Sequence, residues 1–264
     1  MNGIDCATPI TAKTAAAIKA NGYGFVGRYL VPAKGSLKWK ALTKDEAKVI
    51  SNAGLKLLTV YETTADRAKG GAVYGAYDGA SAKACAEALN MPTDGVIYFA
   101  VDYDCSDYNA VEAYLKAARA ATGAYDIGVY GSYRIVEAMY MRGVVRHFWQ
   151  CVAWSYGKIS AHYDVYQHTA GVAVAGISVD LNRCPDMDKA GMWSYGEDEF
   201  VERFNKISEM PKYAQDTIAQ LCDAGIIKGY GTAKDEYGRP ADLNMTEEQI
   251  RTLMWCKRMI EGVK

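Results

Sequence analysis

Through roughly the first 185 residues, short apolar runs alternate with helix-like segments, and no other feature of the chain constrains its fold as tightly. The runs occupy 3–7, 25–30, 55–62, 96–104, 126–132, 147–154, 164–170 and 177–182. Most are rich in Val, Ile, Tyr or Phe and free of Pro, which is the behaviour of strands. Helices are predicted between the early runs. The segment 11–21 is Ala-rich and precedes Gly22, and 43–52 opens with Thr43 and Glu46 at capping-box spacing and stops before Gly54. Segments 79–90 and 107–122 follow the same logic, with Asp107 as an N-cap and Gly123 past the end, and a fifth helix, 133–142, stops at Gly143.

Eight strands, five clear helices and two weaker connections after strands six and seven predict parallel βαβ units. The expected fold is α/β, a compact (β/α)8 TIM-like barrel over residues 1–190. A doubly wound open sheet is the competing architecture. It usually carries a Gly-rich phosphate loop after its first strand, where this chain reads Cys6-Ala7-Thr8-Pro9-Ile10, so nucleotide binding is not expected.

Past residue 190 the texture changes. A polar linker is expected over 191–207, including the acidic Glu197-Asp198-Glu199, and a small C-terminal helical module over 208–264. Tyr213, Ala214, Ile218 and Leu221 are spaced for one helix face, with Gly225 as a stop. Ile250, Leu253, Met254 and Met259 form the stripe of a second helix running to Ile260. Together with Ile226 and Ile227 these side chains exceed what two short helices hide from each other, so a covering partner surface is expected.

Composition excludes several classes. The formal net charge is -1 over 264 residues, without the basic excess that nucleic acid requires. No apolar run reaches the roughly 18 residues of a membrane span. The start, Met1-Asn2-Gly3-Ile4-Asp5, has neither the basic nor the apolar region of a secretory signal, so synthesis and retention in the cytoplasm are expected. Seven dispersed cysteines without a C-x-x-C pair read as reduced, mostly buried thiols. Three histidines without H-E-x-x-H spacing make a zinc site unexpected, and no cofactor motif is present. Twenty tyrosines and five tryptophans against five phenylalanines suit either core edges or a polar, sugar-like ligand surface.

Working residues of such a barrel sit where strands end. Those ends carry Asp5, Glu62, Asp102, Asp104 and Asp180, with Arg28, Tyr29, Tyr130, Trp154 and Gln167 from the remaining strands. An unpaired acid in a strand interior is costly, so plain core filling is a weak account of five carboxylates. Capping of loops, pairing with Arg28, or holding Mg²⁺ or Ca²⁺ are other uses, although no D-x-D-x-D-G loop occurs. Glycosidic bond hydrolysis fits better. It needs one protonated carboxyl and one ionised partner, and crowded acids raise the pKa of at least one. Tyr29, Tyr61, Tyr103, Tyr130 and Trp154 add flat faces for sugar rings.

Five motifs occur in order: Gly3-Ile4-Asp5, Tyr98-Phe99-Ala100-Val101-Asp102-Tyr103-Asp104, Val129-Tyr130-Gly131-Ser132-Tyr133, Val165-Tyr166-Gln167-His168 and Val179-Asp180-Leu181-Asn182. Together they resemble the glycoside-hydrolase-like domain of bacterial and phage cell-wall proteins, related in layout to the family-25 lysozymes. The resemblance implies a peptidoglycan glycan-strand hydrolase, a lysozyme-like endolysin released onto the cell wall at lysis. Asp5, Asp102 and Asp180 match acids of those lysozymes. Asp104 stands where their general-acid Glu would be, one methylene shorter, and Glu62 is the candidate to take over. That departure supports the alternative, a non-catalytic glycan-binding protein on a decayed glycosidase barrel. The tail, read as Ala214, Ile218, Leu221, Gly225, Ile226, Ile227 and Gly229, is similar to a single surface-layer-homology-type repeat, which implies wall attachment or self-association as a homo-oligomer.

Overall fold

The computed structural model describes residues 1–195, 203–229, 232–243 and 245–261. The chain divides into two compact units, Met1–Glu197 and Asp198–Lys264.

The first unit is built of β1 (Asn2–Asp5), α1 (Ala12–Ala20), β2 (Phe25–Tyr29), α2 (Lys44–Asn52), β3 (Lys56–Tyr61), α3 (Gly71–Ala88), β4 (Val96–Val101), α4 (Tyr108–Thr122), β5 (Asp126–Gly131), α5 (Tyr133–Met141), β6 (His147–Cys151), β7 (Val165–Val174) and β8 (Ile177–Arg183). The eight strands close into a barrel in sequence order, as the alternation predicts. Thr43 and Asp107 cap α2 and α4, each accepting from the N–H three residues on (3.2 and 3.0 Å). Only half of the expected capping box forms, because the Glu46 carboxylate bonds Ile10 N–H and Arg28 Nε instead (both 2.7 Å).

Two elements depart from expectation. Helix α3 begins at Gly71, eight residues before the predicted start. Its glycines read as breakers, but a Cβ on Gly75 would lie 2.1 Å from the Tyr114 carbonyl oxygen and one on Gly79 2.5 Å from that of Ala118. They let α3 and α4 approach closely. Strand β8 runs antiparallel to both β7 and β1, so the barrel is not parallel throughout. Ala175 and Gly176 alone join β7 to β8, both at positive φ (52° and 81°). A two-residue loop of that kind turns a hairpin and leaves no room for a crossover helix.

Side chains pointing inward, among them Phe25, Leu58, Val60, Tyr98 and Trp149, fill the barrel, and Cys184, Ala190 and Met192 join the same core. Tyr98 donates to the Ala190 carbonyl (2.9 Å), Val96 N–H to Gly191 (3.0 Å), and Trp193 exchanges two backbone bonds with Leu57 (2.7 and 3.0 Å). Residues 190–195 are therefore a strap of the barrel rather than the start of a linker. Met192 is buried in the core inside the barrel, and Trp193 and Tyr195 are buried in the core shared with the helices.

The second unit pairs β9 (Arg203–Phe204) with β10 (Met245–Thr246) and adds α6 (Lys212–Asp223) and α7 (Glu247–Glu261). Its core gathers Phe204, Ile207, Met210, Ala214, Ile218, Cys222, Leu243, Met245 and Ile250. The small ribbon and the turn before α6 thus help to bury Ala214, Ile218 and Ile250 of the stripe. Leu221, Ile227, Leu253 and Met254 pack at its edge, and Ile226 is 66% exposed. Ala214, Ile218 and Cys222 follow i, i+4, i+8, which turns Tyr213 outward. Phe204 and Ile207 belong to this core, so the predicted linker narrows from that side too. The acidic stretch 197–199 and the side chain of Met259 lie outside the described residues. Among the described residues, no helix is long and apolar enough to cross a membrane. All seven cysteines are free thiols, five of them buried.

Candidate active site

Parallel strands β1, β3 and β4 end at one rim. Asp5 is the last residue of β1, while Glu62 and Asp102 follow directly on β3 and β4. Each continues the inward-facing row of its strand, where the barrel interior gives way to solvent. Asp180 reaches the same level from the other direction, paired across the antiparallel ladder with Asp5.

Donors surround Asp5. Its Oδ2 accepts from Asn182 Nδ2 (2.6 Å) and Gln167 Nε2 (2.9 Å), and Gln167 also reaches Asp180 Oδ2 (3.2 Å). These amides are oriented from behind, by the Tyr130 hydroxyl donating to Gln167 Oε1 (3.0 Å) and Trp149 Nε1 donating to Asn182 Oδ1 (2.9 Å). Asp180 Oδ1 accepts the Gly171 N–H (2.8 Å). Burial pushes the Asp5 carboxyl up to about 7, against the two amides, with the charges of Asp180 and Glu62 adding to the rise.

Glu62 is raised as well, by burial and then by Asp102, while the Lys40 ammonium opposes the rise. Lys40 is itself lowered by burial and lies 4.3 Å from the centre of the Tyr29 ring. The Tyr29 hydroxyl is raised by burial and by the charges of Glu62, Asp5, Asp102 and Asp180, so those four acids converge around one phenol. Trp154 stands over the group, its Nε1 3.4 Å from Asp102 Oδ1.

Three of the residues expected at the rim lie elsewhere. Arg28 is fully buried on the outer face of β2, where it bonds both Glu46 oxygens (2.7 and 3.2 Å) and the Cys6 carbonyl. Tyr61, 1% exposed, also points outward, its ring 5.6 Å from that of Phe99. Both are corrected from substrate contact to packing, since alternation along a strand gives the inward positions to their neighbours Tyr29 and Glu62. Asp104 lies three residues past the end of β4, exposed, and accepts from the Tyr156 hydroxyl (2.7 Å) rather than joining the acid cluster.

Lys40, Asn182 and Tyr156 were not anticipated. Asn182 was legible, being two residues from Asp180 on one strand and hence on the same face. Lys40 and Tyr156 sit in loops, which carry no periodicity to read. Among the described residues, no group of three or more His, Cys, Asp or Glu is arranged to hold a metal ion.

A family model described as "Rv2525c-like, glycoside hydrolase-like domain" matches residues 16–196. Among solved structures, the Tat-secreted protein Rv2525c of Mycobacterium tuberculosis in complex with L-tartrate is 25% identical. It superposes with a TM-score of 0.64 over 73% of this chain and 98% of that one. An uncharacterized B. stearothermophilus protein shares the fold at 21% identity and a TM-score of 0.55, covering 73% of this chain and all (100%) of its own. The uncharacterized protein YbfG of Bacillus subtilis (strain 168) is 37% identical over 146 residues, 48% of this chain. The match spans only 20% of that relative's length.

Proposed function

The chain belongs to the Rv2525c-like, glycoside hydrolase-like family, and from that premise we propose that its barrel hydrolyses the glycan strands of bacterial peptidoglycan. One observation carries the reading: Asp5, its carboxyl near 7, sits with Glu62, Asp102 and Asp180 around Tyr29 at an open rim. Hydrolysis of a glycosidic bond requires a protonated carboxyl to give its proton to the leaving oxygen and a carboxylate to stabilise positive charge or activate water. Gln167 and Asn182 both donate to Asp5 Oδ2, which leaves Oδ1 to carry the proton. Glu62 and Asp102 face it as the partner acids, with Lys40 tempering the repulsion at Glu62. Tyr29, Tyr130 and Trp154 line the place where a sugar ring would lie. The family-25-like motifs support peptidoglycan as the substrate.

A second reading keeps the ligand and drops the chemistry. Asp104, at the position of the lysozyme general acid, is turned to Tyr156 and away from the cluster, as in a barrel that binds glycan without cutting it. In either case residues 198–264 serve as a wall-attachment or self-association module, in line with their repeat-like motif. Mass analysis of fragments released from purified peptidoglycan decides between the readings. Wild-type protein should yield new reducing ends that Asp5→Asn does not. Tight binding to the wall with no release by wild type refutes hydrolysis and leaves the binding protein.

A further inference from the structure

Trp154 and Tyr156, in the loop after β6, hold left-handed backbone with φ of 58° and 52°. Bulky residues adopt that conformation only where their surroundings impose it, and such strain clusters at binding sites. Here Ser155 imposes it. Buried between them, its hydroxyl donates to the Cys151 carbonyl (2.6 Å) and accepts the Tyr133 N–H (2.8 Å). Two rings are thereby turned out of the loop, 44% and 66% exposed.

Each ring is aimed by an acid from the segment leaving β4. The indole N–H reaches Asp102 Oδ1 (3.4 Å) and the Tyr156 hydroxyl reaches Asp104 Oδ2 (2.7 Å). Both pairs are two residues apart in sequence, so they repeat the same device one step farther from the barrel axis. The Arg134 guanidinium lies over the Tyr156 ring, 5.2 Å from its centre. Asp104 also lines a cavity of about 340 Å³, whose other walls include Lys69, Tyr103, Ser106 and Asp107.

We infer that Tyr156, Asp104 and this cavity form a second sugar-binding subsite, which takes a further ring of a glycan strand whose neighbouring ring lies over Trp154. The inference rests on the glycan reading of the rim and deepens it by assigning the side chains that hold a second ring of the strand. Tyr156 is the platform for the apolar face of the ring. Asp104 is a positioning residue, and Ser106 and Lys69, the latter also paired with Asp66 (3.3 Å), offer donors to hydroxyl substituents entering the cavity.

The test is calorimetric titration of the full chain with peptide-free peptidoglycan oligosaccharides of two, four and six sugars. Every protein in it carries Asp5→Asn so that no glycan is cut, and wild type here denotes Tyr156 and Asp104 intact. Wild-type affinity should climb from two sugars to four. Tyr156→Ala should lose roughly 3- to 10-fold on the longer oligosaccharides while binding the disaccharide as wild type does. Tyr156→Phe keeps the ring and should fall between the two, as should Asp104→Asn, with melting curves showing that all three are folded. A length dependence in Tyr156→Ala equal to that of wild type overturns the inference, and so does a loss that is equal for every length. Wild type that binds none of the three oligosaccharides overturns the glycan reading itself, an outcome distinct from lost length dependence.

Discussion

Asp5→Asn should make the barrel more stable above neutral pH while making it inactive. An unfolded Asp titrates near 3.8, and in the folded barrel Asp5 titrates near 7. Between those values the native state holds a proton that the unfolded state has released, so stability falls as pH rises through the interval. At about 1.4 kcal/mol per pH unit the full interval amounts to roughly 4 kcal/mol at pH 8 and above. An amide at this position keeps one oxygen for Asn182 and Gln167 and carries no charge, but it places an N–H2 group where Oδ1 stood. We therefore expect about half of that energy, ~2 kcal/mol, to be recovered. The assay is urea unfolding followed by tryptophan fluorescence at pH 4.5, 6, 7 and 8.5. The variant's advantage should be largest at pH 8.5, shrink through pH 6 and be lost by pH 4.5, where wild-type Asp5 is already protonated in the fold. Hydrolysis, measured as reducing ends, should drop by about 10²–10⁴ in the same variant. A variant destabilised by the same amount at every pH would refute the reasoning, because the two amides would then be holding an ionised carboxylate.

Other substitutions test the remaining assignments. Glu46→Ala leaves the Arg28 guanidinium buried without its carboxylate and should cost about 3–5 kcal/mol, read as a fall in Tm, with loss of fold as the extreme outcome. If Arg28 instead contacted substrate, Tm would hold and binding would fall. Glu62→Gln should lose about 10²–10⁴ in hydrolysis, whereas Asp104→Asn should stay within roughly tenfold of wild type; equal losses would return Asp104 to the acid cluster. A chain ending after Glu197 should keep a folded barrel with activity on soluble fragments. One ending after Pro185 loses Ala190, Met192 and Trp193 and should be insoluble or molten by near-UV circular dichroism; a cooperative native melt from that shorter chain would rule the strap out as a structural part.

Local chemistry determined the sequence of elements. Apolar runs too short for helices, separated by capped helical segments, fix where strands and helices fall, and eight such strands suit a closed barrel. Thr43 and Asp107 act on backbone three residues away, and Asp5, Glu62 and Asp102 stand at strand ends whatever the details of packing, whereas Asp180 lies in the middle of β8 and reaches the rim only because that strand runs antiparallel. The tertiary structure decided what depends on direction and facing. A strand apolar on both sides has no polar alternation to mark its inner row, so Arg28 and Tyr61 looked like rim residues until the barrel closed with Tyr29 and Glu62 inside. Strand β8 could reverse because two residues, Ala175 and Gly176, sufficed to return the chain, and its pairing with β1 is a contact between the two ends of the barrel. The early start of α3 depended on a neighbour, α4, against which only glycine fits. Lys40 and Tyr156 lie in loops, where position follows from what the loop is pinned to. For Tyr156 that is buried Ser155 and an acid in the loop after β4, more than fifty residues away in sequence and 2.7 Å away in space.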